Sequence, residues 1–170
     1  MYVTPVHLAS LPDSLQELSE LLQIDPALLR ATIDGADRAE WSADECQHAD
    51  DALAQIQFAC EQASGEVDAR LVKRGYRLPF PEGRFPVLTV WARAIARYHL
   101  HQQRDRTGEE TGRIERDYRN AIRSLDAVAQ GQLSLGAEDP LATDAAGAGS
   151  GSVRVDGNSR MFSRKSLGGL

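Results

Sequence analysis

The sequence predicts an all-α protein, a compact helical bundle with two or three long helices, short N-terminal helices and a flexible C-terminal tail. Three observations predict it. Apolar residues recur at alternating steps of three and four, helix-capping residues precede those stretches, and the pattern stops after Leu135 in a run rich in Ala, Gly and Ser. We therefore expect a helical domain over residues 1–135, and a linker with a docking segment over residues 136–170.

Short helices are predicted within the first 40 residues. Thr4-Pro5 has the form of a helix start, because Thr accepts from free backbone amides and proline has no N–H that needs a partner. Pro12-Asp13-Ser14 restarts a helix with leucines on one face, and Asp25-Pro26 opens a third segment. Gly35 and the polar residues 36–40 end that segment.

The strongest helix signal begins at Ser42. Ser42 and Glu45 have the spacing of a capping box, in which each side chain accepts from a free backbone N–H of the other residue. Lys73-Arg74 before Gly75 suits the negative end of a helix and a left-handed exit. Between these ends, apolar or small residues predict one buried seam of about eight turns: Ala49, Leu53, Ile56, Cys60, Ala63, Val67 and Leu71.

Two more helices are predicted after a proline-rich loop. Residues 76–86 hold three prolines, which remove backbone donors and favour extended geometry before each ring. Pro86 starts the second long helix, whose stripe is Leu88, Trp91, Ile95 and Tyr98. A polar break is expected over residues 102–112. A third helix then carries apolar residues from Ile114 to Val128 and ends near Gly131.

Composition and charge restrict the class of protein. Apolar residues at 42% with 26% charged residues are normal for a soluble globular protein. No apolar run approaches the roughly 20 residues that cross a bilayer, and the N-terminus lacks the regions of a signal peptide, so we expect no membrane partner. Cys46 and Cys60, about 21 Å apart on one helix, are expected to be buried, reduced thiols. The formal charge of −6 argues against duplex DNA as the main partner.

No catalytic, cofactor or metal site is expected. His99 and His101 are two residues apart and so lie on different faces of a helix, where solvated histidines are the simplest interpretation. Carboxylates such as Glu17 and Glu66 fall mainly on polar helix sides. The nucleophile-elbow, Walker and dinucleotide-binding glycine motifs do not occur in the sequence. We therefore predict that the protein is not an enzyme.

Arginines concentrate on the last two predicted helices. The set is Arg93, Arg97, Arg104, Arg106, Arg113, Arg116, Arg119 and Arg123. The simplest interpretation is pairing within the chain, with Asp105, Glu109, Glu110, Glu115, Asp117 and Asp126. An intersubunit face and a nucleic-acid face are the alternatives, because Arg forms bidentate pairs with carboxylate and with phosphate.

Two segments are candidates for binding a partner. Tyr76, Phe80 and Phe85 lie among prolines, where they form either a rigid plug over the end of the bundle or a contact surface. The chain end places apolar and basic residues behind a linker-like stretch of Ala, Gly and Ser. We predict that this tail binds a partner through Met161, Phe162, Arg164 and Leu167.

Several motifs of the chain occur together in one known family. They are Met1-Tyr2-x-Thr4-Pro5, Asp68-Ala69-Arg70-Leu71-x-x-Arg74-Gly75-Tyr76-x-Leu78-Pro79, Ala94-Ile95-Ala96-Arg97-Tyr98-x-Leu100, Tyr118-x-x-Ala121-Ile122-x-x-Leu125, Gly131-x-Leu133-x-Leu135 and Met161-Phe162-Ser163-Arg164-x-Ser166-Leu167. With these motifs, the chain resembles the Mu-like prophage structural proteins that are placed between head and tail genes.

The resemblance implies a head–tail connector, or head-completion, protein of a phage or prophage. Such a protein docks beneath the portal protein as a ring of about twelve copies and meets a tail or stopper protein on its other side. DNA only passes through its channel. The implied location is the neck of the virion, and the host cytoplasm during assembly. Two alternatives stay open: a helical nucleic-acid-binding regulator that uses the arginines, and an assembly chaperone that is absent from the finished particle.

Overall fold

The structure is a computed structural model of the chain, and it describes residues 1–10, 13–80, 84–102 and 109–136, with side chains in the last range from residue 112 onward. These residues form six helices and no strand, which confirms the all-α prediction. The helices are α1 (Pro5–Ala9), α2 (Ser14–Leu22), α3 (Pro26–Asp34), α4 (Ala43–Arg74), α5 (Pro86–Gln102) and α6 (Glu109–Ala129).

Capping residues define the starts of α1 and α3, as the sequence predicts. The Thr4 hydroxyl accepts from the His7 N–H, and His7 Nδ1 accepts in turn from the Thr4 N–H, at 3.3 Å each. At the start of α3, Asp25 Oδ1 accepts from two backbone N–H groups, at 2.8 and 3.1 Å. Gly35 ends α3 with a φ of 67°, a conformation that glycine adopts without strain.

The central helix, α4, begins at the predicted capping box. The Ser42 hydroxyl accepts from the Glu45 N–H at 3.3 Å, and the Glu45 carboxylate accepts from the Ser42 N–H at 2.8 Å. The helix ends at Gly75, whose φ of 97° is the predicted left-handed exit. Both ends of the longest predicted helix are therefore confirmed.

The buried seam of α4 differs from the predicted one at Leu53. Leu53 is only half-buried, whereas Ala52 and Ala59 are buried. The helix has 3.6 residues per turn, so a step of three from Ala49 reaches Ala52, and Leu53 falls at the edge of the packed surface. The remaining predicted seam residues are all fully buried: Ala49, Ile56, Cys60, Ala63, Val67 and Leu71.

Helices α4, α5 and α6 pack against one another, and α1 to α3 lie against this core. On α5, Leu88, Ile95 and two alanines are buried, and the small residues let the helices approach closely. Ile114 and Leu125 close the core from α6.

The start of α6 differs from the expected break. The helix begins at Glu109, before the predicted end of the break at residue 112. Gly112 lies inside the helix and is exposed. A glycine there costs only about 1 kcal/mol relative to alanine, less than the burial of Ile114 two residues later contributes.

Both cysteines are free thiols, as predicted, but only Cys60 has the buried position expected of both, because Cys46 is half-buried. Burial raises the pKa of Cys60 to about 12, and the nearby Glu61 carboxylate adds to this effect. Within the described ranges, no helix is both long and apolar enough to cross a membrane.

Candidate interaction surfaces

A groove of about 750 Å³ lies along α5, between α1–α2 on one side and α6 on the other. Its apolar surface includes Val90, Trp91 and Ala94 of α5, with Leu18 and Ala121 on the two sides. Val90 is 54% exposed and Trp91 and Ala94 are half-buried, although all three lie beside the packed core. The groove thus offers apolar surface that the described part of the chain leaves partly open.

Six charged side chains surround this apolar surface: Asp13, Glu17, Arg93, Arg97, Arg113 and Asp117. Of these six, Glu17 and Arg97 pair with each other across the α2–α5 contact. Asp13 is exposed at the start of α2, and Asp117 Oδ1 lies 3.9 Å from Arg116 Nε. The groove therefore combines an apolar surface with a mixed, polar rim, as protein interfaces do.

Glu17 joins α2 to α5 through two partners. Arg97 Nε donates to Glu17 Oε1 at 2.6 Å, and a second guanidinium nitrogen donates to Oε2. His101 Nε2 lies 2.6 Å from the same Oε1. Burial alone would raise the pKa of Glu17, but the hydrogen bonds with His101 and Arg97 outweigh it and lower that pKa to about 2.

These contacts correct two expectations about polar residues. His101 is buried and His99 Nε2 lies 2.8 Å from Glu66 Oε1, so neither histidine is solvated. Glu17 and Glu66 each bridge two helices and do not point freely into solvent. The prediction that the two histidines lie on different faces is confirmed, because one meets α2 and the other meets α4. These pairs join residues that are 33 and 84 positions apart, which spacing along one helix could not show.

The aromatic residues of the proline-rich loop form one cluster. Tyr76 is buried, and its ring centre lies 5.7 Å from that of Phe80, which lies 4.9 Å from that of Phe85. The Leu135 N–H donates to the Tyr76 hydroxyl at 3.4 Å and ties the end of the domain to this loop. The packing agrees with the plug interpretation. Contact with a partner through Tyr76, Phe80 or Phe85 stays a prediction.

Charge is separated along the molecule. The acidic end, residues 25–51, covers α3 and the first turns of α4 and holds eight acidic and two basic residues. The basic end, residues 70–80 and 84, holds five basic residues, of which Arg70 is paired with Glu66 and Asp126. Asp44 and Arg74, at opposite ends of α4, are about 45 Å apart along the axis at 1.5 Å per residue. The opposite charges of the two segments can be counted in the sequence. Their separation in space follows from the single long helix that joins them.

The model of the family described as Bacteriophage Mu, Gp36 matches residues 2–154. The chain belongs to the bacteriophage Mu Gp36 family. The resemblance to Mu-like phage proteins is therefore confirmed over nearly the whole chain. The search of curated proteins and the search of solved structures found no match.

The arginines of this Gp36-family protein are partly paired within the chain, as the simplest interpretation expects. Arg119 binds Glu115, whereas Arg97 binds Glu17 and Asp126 binds Arg70 at 3.0 Å. The last two pairs differ from the predicted partners because they join helices that are distant in sequence. Arg104, Arg106 and Asp105 lie outside the described residues.

The predicted tail anchors of the Gp36-family protein also lie outside the described residues. These are Met161, Phe162, Arg164 and Leu167, and the description ends at residue 136. Binding of a partner through them stays a prediction. Among the described residues there is no group of three side chains arranged to hold a metal ion.

Proposed function

We propose that this protein is a virion structural protein that joins the phage head to the tail. It is a head-completion adaptor that docks on the portal protein as a ring and presents its other side to a tail or stopper protein. Membership of the bacteriophage Mu Gp36 family supports a role in a phage. The observation that carries the ring is the separation of an acidic end and a basic end on one rigid helical body.

The two charged ends suit contact between neighbouring copies. When the acidic end of one copy meets the basic end of the next, the contact is head-to-tail, and such contacts form a closed ring if the rotation between copies closes. Complementary charge also orients two copies as they approach and opposes wrong arrangements. A body of this kind assembles with copies of itself in one direction.

The overall charge fits a channel through which DNA passes. Residues 1–136 hold 15 of the 19 basic and 21 of the 25 acidic residues, so they carry the whole formal charge of −6. Tight binding to duplex DNA requires basic residues that neutralise several phosphates on one face. A net negative body holds passing DNA weakly, which suits transport through a neck.

A charge exchange tests the ring. Lys73 and Arg77 are exposed at the basic end, and Asp44 and Asp51 are exposed at the acidic end. We expect Lys73→Glu with Arg77→Glu to reduce assembly of portal-docked rings, and Asp44→Lys with Asp51→Lys to do the same. When the two double variants are mixed and alternate around the ring, every contact joins an acidic end to a basic end, so we expect assembly to be partly restored. Loss of assembly without any such rescue argues against these ends as the ring contact.

The role at the neck is tested in particles. Electron microscopy of a lysate that lacks this gene, beside a complemented control, should show filled or leaking heads separate from finished tails. Normal joined particles would remove the connector role. In that case, salt-dependent binding of DNA by the purified protein tests the regulator alternative, and detection of the protein in purified virions tests the chaperone alternative.

A further inference from the structure

We infer that the groove along α5 is a docking site for the C-terminal segment of this same chain, residues 160–170. The two regions match in chemistry, and the chain between them is long enough to join them. This inference concerns the isolated protein and does not rest on the connector role.

The groove requires an apolar occupant. Val90 is 54% exposed, and Trp91 and Ala94 are half-buried beside it. Apolar surface of this kind, rimmed by polar residues, marks binding sites. The segment supplies Met161 and Phe162 next to each other. An aromatic anchor and an adaptable thioether are side chains that fill such grooves well.

Two carboxylates on the groove rim can meet the basic side chains of the segment. Residues 160–170 hold three basic residues and no acidic side chain, whereas residues 1–136 carry a formal charge of −6. On the groove rim, Asp13 and Asp117 belong to opposite sides, on α2 and α6. Arg93 and Arg113 lie on the same rim, so the cations of the segment should lie beside Asp13 and Asp117.

The length of the chain permits the contact. Twenty-three residues lie between Gly136, the last described residue, and Arg160. A coil of Gly-, Ala- and Ser-rich composition and this length has a mean end-to-end distance of about 27 Å. That distance covers much of a body whose longest helix, with 32 residues, measures about 48 Å. Tethering of this kind raises the effective concentration of the segment to the millimolar range, so modest contacts suffice for occupancy.

Trp91 provides a direct readout in the full-length protein. The chain has two tryptophans, so Trp41→Phe leaves Trp91, in the groove, as the sole reporter. We expect Met161→Ser with Phe162→Ser to shift the Trp91 emission to longer wavelength and to increase its quenching by acrylamide. The control, Val153→Ser with Val155→Ser, changes two apolar residues of the same region and should leave both unchanged. If the two double variants behave alike, the segment does not occupy the groove, which would then belong to a different occupant.

A cysteine pair identifies which copy supplies the segment. In full-length protein with Cys46→Ser, we expect Val90→Cys and Phe162→Cys to form a disulfide under mild oxidation. The expected result is a faster-migrating monomer on a non-reducing gel, which indicates docking within one chain. A covalent dimer or ladder would show that the segment comes from a second copy and would overturn the inference. The control pairs Phe162→Cys with Phe58→Cys, at a position on α4 that is 53% exposed and far in sequence from the groove. Equal crosslinking rates for the two pairs would overturn the inference.

Both measurements use purified protein without phage particles. Failure of groove docking therefore leaves the connector proposal in place. Conversely, normal particles in the gene-deletion experiment leave the groove docking in place.

Discussion

The two faces of α5 are both apolar, but the rest of the described chain closes only one of them. On the closed face, Leu88, Ala92 and Ile95 are at most 1% exposed. On the open face, Val90 is 54% exposed and Trp91 remains half-buried in the groove. Burial of apolar surface stabilises the fold only where water is excluded. The closed face therefore stabilises the domain, whereas the open face is available for binding.

The largest expected effect is the loss of stability when a side chain on the closed face of α5 is truncated, compared with one on the open face. Ile95→Ala should lower the free energy of unfolding by about 2–5 kcal/mol, because it leaves a cavity in a fully buried site. Val90→Ala on the open face should change it by less than about 0.5 kcal/mol. Urea denaturation followed by circular dichroism measures both. Similar losses for the two variants would show that the open face is buried in solution.

The second prediction concerns the Glu17 contact beside the groove. The folded pKa of about 2 lies below the ordinary value of 4.5, so the stabilisation is complete above about pH 4.5 and is lost as the pH falls toward about 2. The difference between the two pKa values corresponds to roughly 3 kcal/mol at most. We expect the stability gap between the wild type and Glu17→Gln to shrink over this range.

Denaturation at several pH values measures that gap. Glu20→Gln is the matched control, because Glu20 is an exposed carboxylate on the same helix. Its gap to the wild type should stay small at every pH. A Glu17→Gln gap that does not depend on pH would show that the ionised carboxylate contributes no stability.

The third prediction sharpens the comparison by adding volume to each face. Ala92→Leu should destabilise the protein by about 1–3 kcal/mol, because the larger side chain has no room in a fully buried, close-packed site. Ala94→Leu lies in the groove, where space is open, and should leave the stability nearly unchanged. It should, however, weaken the docking of residues 160–170, as measured by Trp91 emission in the Trp41→Phe background. If Ala94→Leu is as destabilising as Ala92→Leu, the groove is closed in solution.

The smallest expected effect is on the outer face of α6. Arg119 binds Glu115 one turn away, but its side chain is 64% exposed. Exposed pairs of this kind contribute about 0.3–0.5 kcal/mol. Arg119→Gln should therefore lower the melting temperature only slightly, and added salt should remove the difference. A large loss would indicate that Arg119 has a further partner.

Local signals were enough to predict most of the fold. Ser42, Glu45 and Gly75 identified both ends of α4, because capping and left-handed exits depend on residues close in sequence. Leu53 was placed in the seam wrongly, since the buried surface of a helix depends on where its neighbours lie. The start of α6 was also misplaced, because packing of the helix outweighs the low helix propensity of Gly112.

The groove and its ion pairs could not be predicted from the sequence in the same way. Arg97 and Glu17 are 80 residues apart, so only the packing of α2 on α5 brings them together. In the sequence, Val90 and Trp91 have the pattern of ordinary helix residues. Only the position of α6 in the structure shows that they line an open groove. The tail anchors, in contrast, are predicted from composition alone, and the groove that we propose as their binding site is visible only in the fold.

The buried thiol of Cys60 allows local opening of the core around α4 to be measured. A thiol reacts through its thiolate, and both complete burial and a pKa of about 12 suppress that form while α4 is packed. The rate at which a reagent modifies Cys60 therefore measures how often local opening exposes the thiol to solvent. Cys46, half-buried near the start of the same helix, reports fraying there. With one reaction, the unmodified protein thus yields opening rates at two depths of α4.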